Sequence, residues 1–124
     1  ESNAIKVFGF LKKQKNVKKI FFLPDKSNKY NKLWKKYFNN ANGLITFGID
    51  KKIGVEKFLD NLTLFKIGFS WGGYESLILP LSQIKPSDKD YKNSLNWFRI
   101  HVGLESTEDM IIDLKKGFCN YDKK

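Results

Sequence analysis

Two stretches of this sequence gather side chains that could do chemistry. The first, Phe69-Ser70-Trp71-Gly72-Gly73-Tyr74-Glu75-Ser76-Leu77, sets an indole, a phenol, two hydroxyls and a carboxylate around a glycine pair, between two apolar runs. It is too polar for a core and too apolar for an ordinary solvated turn. The second, Trp97-Phe98-Arg99-Ile100-His101-Val102, holds the one arginine among 23 basic residues and the one histidine. A chain that uses lysine this freely keeps an arginine where an ammonium ion does not serve, and a flat, bidentate grip on a carboxylate or phosphate is such a place. The plainer alternative is an arginine paired with a carboxylate of its own domain. His101, a lone imidazole beside it, reads as an oriented structural group more readily than as a base.

Other chemistries find little support. One histidine and the distant Cys119 do not make a metal site, so no metal is expected. Glu105, Glu108 and Asp109 read as charges favouring a helix N-terminus and not as an acid–base pair. No GxxxxGK phosphate loop is present, and Gly72-Gly73 alone is weak support for one. The formal charge of +10 suggests nucleic acid, but lysine offers only a point charge where base edges and phosphate forks favour arginine, so a solvated lysine-rich surface is the better reading. With 124 residues, 41% of them hydrophobic, the chain is one domain with a modest core. No run approaches a membrane span, no signal-peptide pattern is seen and a single cysteine precludes an internal disulfide, so a cytoplasmic location is expected.

The elements that must position these residues alternate between helix and strand. Ala4, Val7, Phe8 and Leu11 fall on one helical face. Val17 to Phe22 reads as a strand ending at Leu23-Pro24-Asp25. Asn28 or Asn31 would cap a helix through Leu33, Trp34, Tyr37 and Phe38. After the turn cluster 39–43, Leu44 to Ile49 is a strand whose Gly48 signals a bulge or a close approach. Val55 to Leu62 fits a short helix with Phe58, Leu59 and Leu62 inward, and Thr63 to Gly68 a strand. Ser82 to Asn96 reads as an irregular connection, and Trp97 to Val102 as a strand with Arg99 and His101 on one face and Phe98, Ile100 and Val102 on the other. Ser106 would cap a last helix that buries Met110, Ile111, Leu114 and Phe118. The fold class is α+β: a short, mainly antiparallel sheet with helices on one face. Arg99 and the glycine loop would then line one end of a crevice, the loop giving hydroxyls, N–H groups and an indole wall.

The loop 69–80, the later segment Phe98-Arg99-Ile100-His101-Val102-Gly103-Leu104-Glu105 and the helix Asp109 to Leu114 follow one another in an order that resembles the C-terminal domain of the cystathionine β-lyases, within the pyridoxal-phosphate-dependent enzymes of cysteine and methionine metabolism. Glu1 to Val7, Leu33 to Phe38 and Asn42 to Phe47 extend the likeness over nearly the whole chain. Members acting at the γ-carbon carry leucine where Trp71 stands and often a histidine soon after the Glu-Ser-Leu motif; this chain has neither feature, which favours the β-lyases.

The resemblance implies the small domain of the aspartate-aminotransferase-like fold, with residues 1–124 as a C-terminal substrate-binding domain. It implies that Arg99 binds the α-carboxylate of an amino-acid thioether, that Ser70 places the amine of the Schiff-base lysine and that Trp71 lines the pocket. Tyr74 and Glu75 would fix the loop. The implied reaction converts cystathionine to homocysteine, pyruvate and ammonia, with pyridoxal 5'-phosphate as electron sink. In that family the cofactor lysine and most cofactor ligands come from a larger N-terminal domain that this sequence does not include, so no residue here is expected to bind the cofactor and the chain alone is not expected to turn over. The missing domain and further copies of the enzyme are the implied partners, and a bare Trp71 rim would favour association. A free-standing carboxylate or amino-acid binding module, or a basic nucleic-acid-binding domain, are the alternatives.

Overall fold

The computed structural model describes residues 1–81 and 94–119. Their elements are α1 (Ser2–Lys12), β1 (Val17–Phe21), α2 (Asn31–Tyr37), β2 (Leu44–Asp50), α3 (Val55–Asp60), β3 (Lys66–Ile67), β4 (Leu77–Pro80), β5 (Leu95–His101) and α4 (Thr107–Cys119). The strands form one sheet in the order β1-β2-β5-β4-β3. Three of its pairings are antiparallel and the β3–β4 edge is parallel. The mainly antiparallel α+β reading therefore holds.

Alternation along the strands decides which face is dry. Ile45, Phe47 and Ile49 of β2 and Phe98 and Ile100 of β5 are fully buried, against Val7 and Leu11 of α1, Phe58 of α3 and Met110, Leu114 and Phe118 of α4. Phe58 sits at the centre, its ring 4.9 Å from that of Phe98 and 5.0 Å from that of Phe118. The opposite face carries Trp97, Arg99 and His101. There Gly48, opposite Trp97 in register, lets the indole lie close over the backbone: a Cβ on it would come within 3.0 Å of the Trp97 ring. The close approach expected at Gly48 is present, and Phe21 stacks on the same indole at 5.7 Å.

Several local expectations are revised. The strand expected from Thr63 to Gly68 is only Lys66–Ile67. Residues 63–65 instead turn their backbone toward Asp113, whose carboxylate accepts the N–H groups of Thr63, Leu64 and Phe65 at 2.7–2.9 Å and the Thr63 hydroxyl at 3.0 Å. Leu77–Pro80, an apolar run next to the loop, is a strand in its own right. Helix α2 is capped by neither asparagine: Tyr30 is its N-cap, the Asn31 side chain donates to the Leu23 carbonyl, and the Asn28 side chain accepts from the Tyr30 N–H. Its apolar residues Leu33 and Tyr37, with Phe38 just beyond, stay exposed. Ser106 does cap α4, accepting the Asp109 N–H at 3.4 Å. The connection expected over Ser82 to Asn96 lies mostly outside the described residues, and its last two positions belong to β5.

Asp113 joins α4 to the segment leading into the site, and its burial makes the link consequential. Burial alone would raise its pKa, but the N–H groups of Phe65, Thr63 and Leu64 and the Thr63 hydroxyl together outweigh it and hold the carboxyl below its ordinary range. A group depressed in this way stabilises the fold fully above its unfolded-state pKa, and that stabilisation is lost as pH falls through the folded-state value. Asp113→Ala leaves three backbone donors without their acceptor and is expected to cost about 3 kcal/mol or more in denaturant unfolding at neutral pH. Asp113→Asn should be less stable than the parent at neutral pH yet lose less on acidification. Equal acid slopes for the two proteins would contradict this role.

Candidate substrate-binding site

Strand β5 carries the site because it runs through the middle of the sheet, paired on both edges. Its register with β2 and β4 sets Arg99 opposite Thr46 and Leu79, and His101 opposite Leu44 and Leu77. Both side chains therefore leave the sheet away from the helices, toward the loop that precedes β4. The guanidinium Nη2 of Arg99 donates to the carbonyl of Phe69. His101 reaches the same loop three and four residues further on: its Nδ1 accepts from the Gly72 N–H at 3.4 Å, and its Nε2 lies 3.0 Å from the Gly73 carbonyl. The structure thus brings Arg99 next to the segment that holds Ser70 and Trp71.

A guanidinium has five N–H donors, and among the described residues no carboxylate lies within ion-pair distance of Arg99; the ion pairs present there are Lys12–Asp25 and Lys116–Asp113. An arginine neutralised within its own domain was the plainer reading, and the described residues do not provide the partner. Ser70 and Trp71 face outward, with Trp71 61% exposed and its neighbours Phe69 and Tyr74 still more so. The loop that Arg99 bonds thus presents three aromatic side chains, Phe69, Trp71 and Tyr74, to solvent.

Behind the loop stands a second set of contacts that sequence reasoning missed. Glu105 was expected to serve a helix N-terminus. Its carboxylate instead accepts the Ser76 N–H at 2.8 Å and the Ser76 hydroxyl at 2.6 Å. The hydroxyl oxygen in turn accepts the Gly103 N–H at 2.8 Å, and the Leu104 N–H donates to the Tyr74 carbonyl at 2.9 Å. A Cβ at Gly103 would lie 2.2 Å from that carbonyl, so only glycine lets the two segments close. Although burial alone would raise the Glu105 pKa, the Ser76 hydroxyl, the Ser76 N–H and its own backbone N–H leave it lowered. The loop is fixed by Ser76 and by backbone groups, while the Tyr74 side chain, expected to help, stands in solvent. The Gly103-Leu104-Glu105 segment after β5 and the serine before β4 were the available signals, but nothing local in either pairs one with the other.

The donor set bears on which molecule such a surface can hold. Pyridoxal phosphate requires an amine to bond covalently and a carboxylate for its ring nitrogen. Among the described residues, Arg99 and His101 bond only to backbone groups of the loop, and no lysine joins them. Among the described residues the cluster offers N–H donors to an anion and neither of these two groups.

Comparison with known proteins places this geometry. A family model for Cys/Met metabolism PLP-dependent enzymes matches residues 1–119. The chain is 35% identical over 126 residues to cystathionine beta-lyase MetC of Escherichia coli (strain K12), covering 94% of this chain and 31% of the relative. It is also 35% identical over 126 residues to an L-alanine/L-glutamate racemase of Wolbachia pipientis wMel, covering 96% and 31%. The chain therefore spans about a third of the length of the curated relatives it matches. Among solved structures it superposes on a cystathionine gamma-lyase from Lactobacillus plantarum complexed with L-serine at a TM-score of 0.85, with 26% identity over 98% of this chain and 33% of that one. A cystathionine gamma synthase from Xanthomonas oryzae pv. oryzae shares the fold at a TM-score of 0.84, with 22% identity over 98% and 33%. Sequence match and superposition agree over almost all of these residues, and the chain belongs to the Cys/Met metabolism PLP-dependent enzyme family.

Proposed function

We propose that this chain supplies the substrate-carboxylate side of a pyridoxal-phosphate-dependent carbon–sulfur β-lyase acting on an amino-acid thioether such as cystathionine. The observation that carries the reading is Arg99, tied to the Phe69 carbonyl beside Ser70 and Trp71 and paired with no carboxylate among the described residues. The Phe69 contact occupies one Nη2 hydrogen and turns the guanidinium plane toward the loop, which leaves a fork for the α-carboxylate of the substrate. Trp71 walls the substrate's side chain, and the Ser70 hydroxyl, bonded to nothing among the described residues, is free to orient an amine from the part of the enzyme this chain does not span. Pyridoxal phosphate, when bound in such enzymes, supplies the electron sink for reaction at the α-carbon. The net conversion, cystathionine and water to homocysteine, pyruvate and ammonia, then depends on Arg99 for the placement of that carbon. By this reading the 124 residues alone neither hold the cofactor nor turn over substrate.

A second reading has support of its own: the Wolbachia pipientis relative named a racemase is as similar as the Escherichia coli lyase. The same arginine would hold the carboxylate of alanine or glutamate. Both readings share the grip and differ in the fate of the α-carbon.

Chimeras separate them. The chain is joined to the unmatched part of the Escherichia coli lyase or to that of the Wolbachia racemase, each checked for bound cofactor by its visible absorbance. Pyruvate release from cystathionine by the first is expected. A cofactor-loaded lyase chimera that releases none, beside a racemase chimera that interconverts alanine enantiomers, would overturn the lyase reading. In the active chimera Arg99→Ala removes one partner of a desolvated ion pair, a truncation that costs about 3–5 kcal/mol, and should lower kcat/KM by about two to four decades. Arg99→Lys should be nearly as harmful, because the charge stays and the fork is lost. Near-normal turnover by the lysine variant would dispose of the carboxylate grip.

A further inference from the structure

Ser70 and Trp71 are the two loop residues assigned a role toward substrate, and among the described residues no hydrogen bond holds the side chain of either. Their position depends on what grips the chain around them. On one side, Arg99 holds the Phe69 carbonyl. On the other, His101 holds Gly72 and Gly73. The next fixed point, Tyr74–Ser76 against residues 103–105, lies beyond the turn. By that reading the Arg99 guanidinium serves both the loop and a carboxylate, whereas the two ring nitrogens of His101 serve the loop alone.

The imidazole is built into place. It is 7% exposed, at the C-terminal end of the central strand β5. A Cβ at Gly43 would lie 3.2 Å from its Cε1 and Nδ1, so the ring rests against a backbone with no side chain between. The turn it meets is equally constrained: Gly72 has φ of +86°, the only positive φ among the described residues, a conformation open to glycine at little cost. The two contacts also specify the proton. A carbonyl only accepts, so Nε2 carries the hydrogen toward Gly73; the Gly72 N–H only donates, so Nδ1 keeps its lone pair. One neutral tautomer satisfies both at once, and the other satisfies neither.

We infer that His101 is a positioning residue: in its neutral Nε2–H form it clamps the Gly72–Gly73 turn and so sets the place of Trp71 at the edge of the carboxylate site. This inference rests on the substrate-side reading of Arg99 and Trp71 for its purpose, but its test needs no turnover, so failure of the clamp and failure of the function are read separately. It concerns neither proton transfer nor covalent chemistry.

The test is made on the 124-residue chain by NMR. Long-range nitrogen–proton correlation of the single imidazole reports the tautomer directly, and the Nε2–H form is expected at neutral pH. His101→Phe keeps a ring in the slot and removes both nitrogens. Its unfolding midpoint should stay near that of the parent, while the backbone order parameters of Trp71, Gly72 and Gly73 fall from about 0.85 toward 0.6 or below. His101→Asn restores an acceptor near the Nδ1 position and should recover Gly72 while leaving Gly73 loose, a selective rescue that a merely space-filling histidine would not produce. An Nδ1–H tautomer in the parent would overturn the inference. So would a folded His101→Phe variant whose loop order parameters match the parent's. The tautomer measurement stands even if the phenylalanine variant does not fold.

Discussion

The period-two alternation of β5 is the constraint on which the arrangement depends. Phe98 and Ile100 must enter the helix-covered face, because that is where their apolar area leaves water. Arg99 and His101 are thereby committed to the other face. A one-residue slip would send the arginine into the core and the phenylalanine into solvent, at a cost of several kcal/mol. Core packing and site geometry are thus one event: the same hydrophobic burial that holds β5 in register between β2 and β4 aims the guanidinium and the imidazole at a single loop.

Two carboxylates complete the frame, and both act on backbone. Asp113 gathers the N–H groups of residues 63–65 before the loop, and Glu105 gathers Ser76 after it. Charged acceptors suit these places because N–H groups turned out of a sheet have no ladder partner, and one carboxylate can satisfy several donors. Between these anchors Arg99 and His101 hold the loop from β5, with the Leu104 N–H on the Tyr74 carbonyl. The result is a loop tied to the sheet at several points with exposed rings at its crest.

Much of this was legible in the sequence. The helices around Val7, Phe58 and Leu114 and the strands around Phe47 and Phe98 announce themselves by periodicity, since each buries one face. The solitary arginine among lysines marked Arg99, and alternation placed His101 beside it. The segments read less well are those governed by distant partners. Thr63–Phe65 has the composition of a strand but spends its amides on a carboxylate nearly fifty residues away. Helix α2 has apolar residues at helical spacing, yet Leu33, Tyr37 and Phe38 remain in solvent, because spacing states that a face is apolar and not what covers it.

The residue types therefore determined by themselves where the helices around Val7, Phe58 and Leu114 and the strands around Phe47 and Phe98 lie, which face these bury, and which few side chains are chemically out of place. Only the tertiary structure decided that Glu105 would serve Ser76 rather than the helix beside it, and that the lone histidine would hold the glycine pair. These pairings join positions about thirty residues apart, where local propensity carries no information. They form because the folded sheet brings unsatisfied donors and acceptors face to face, and leaving them unpaired costs more than the loop loses in freedom.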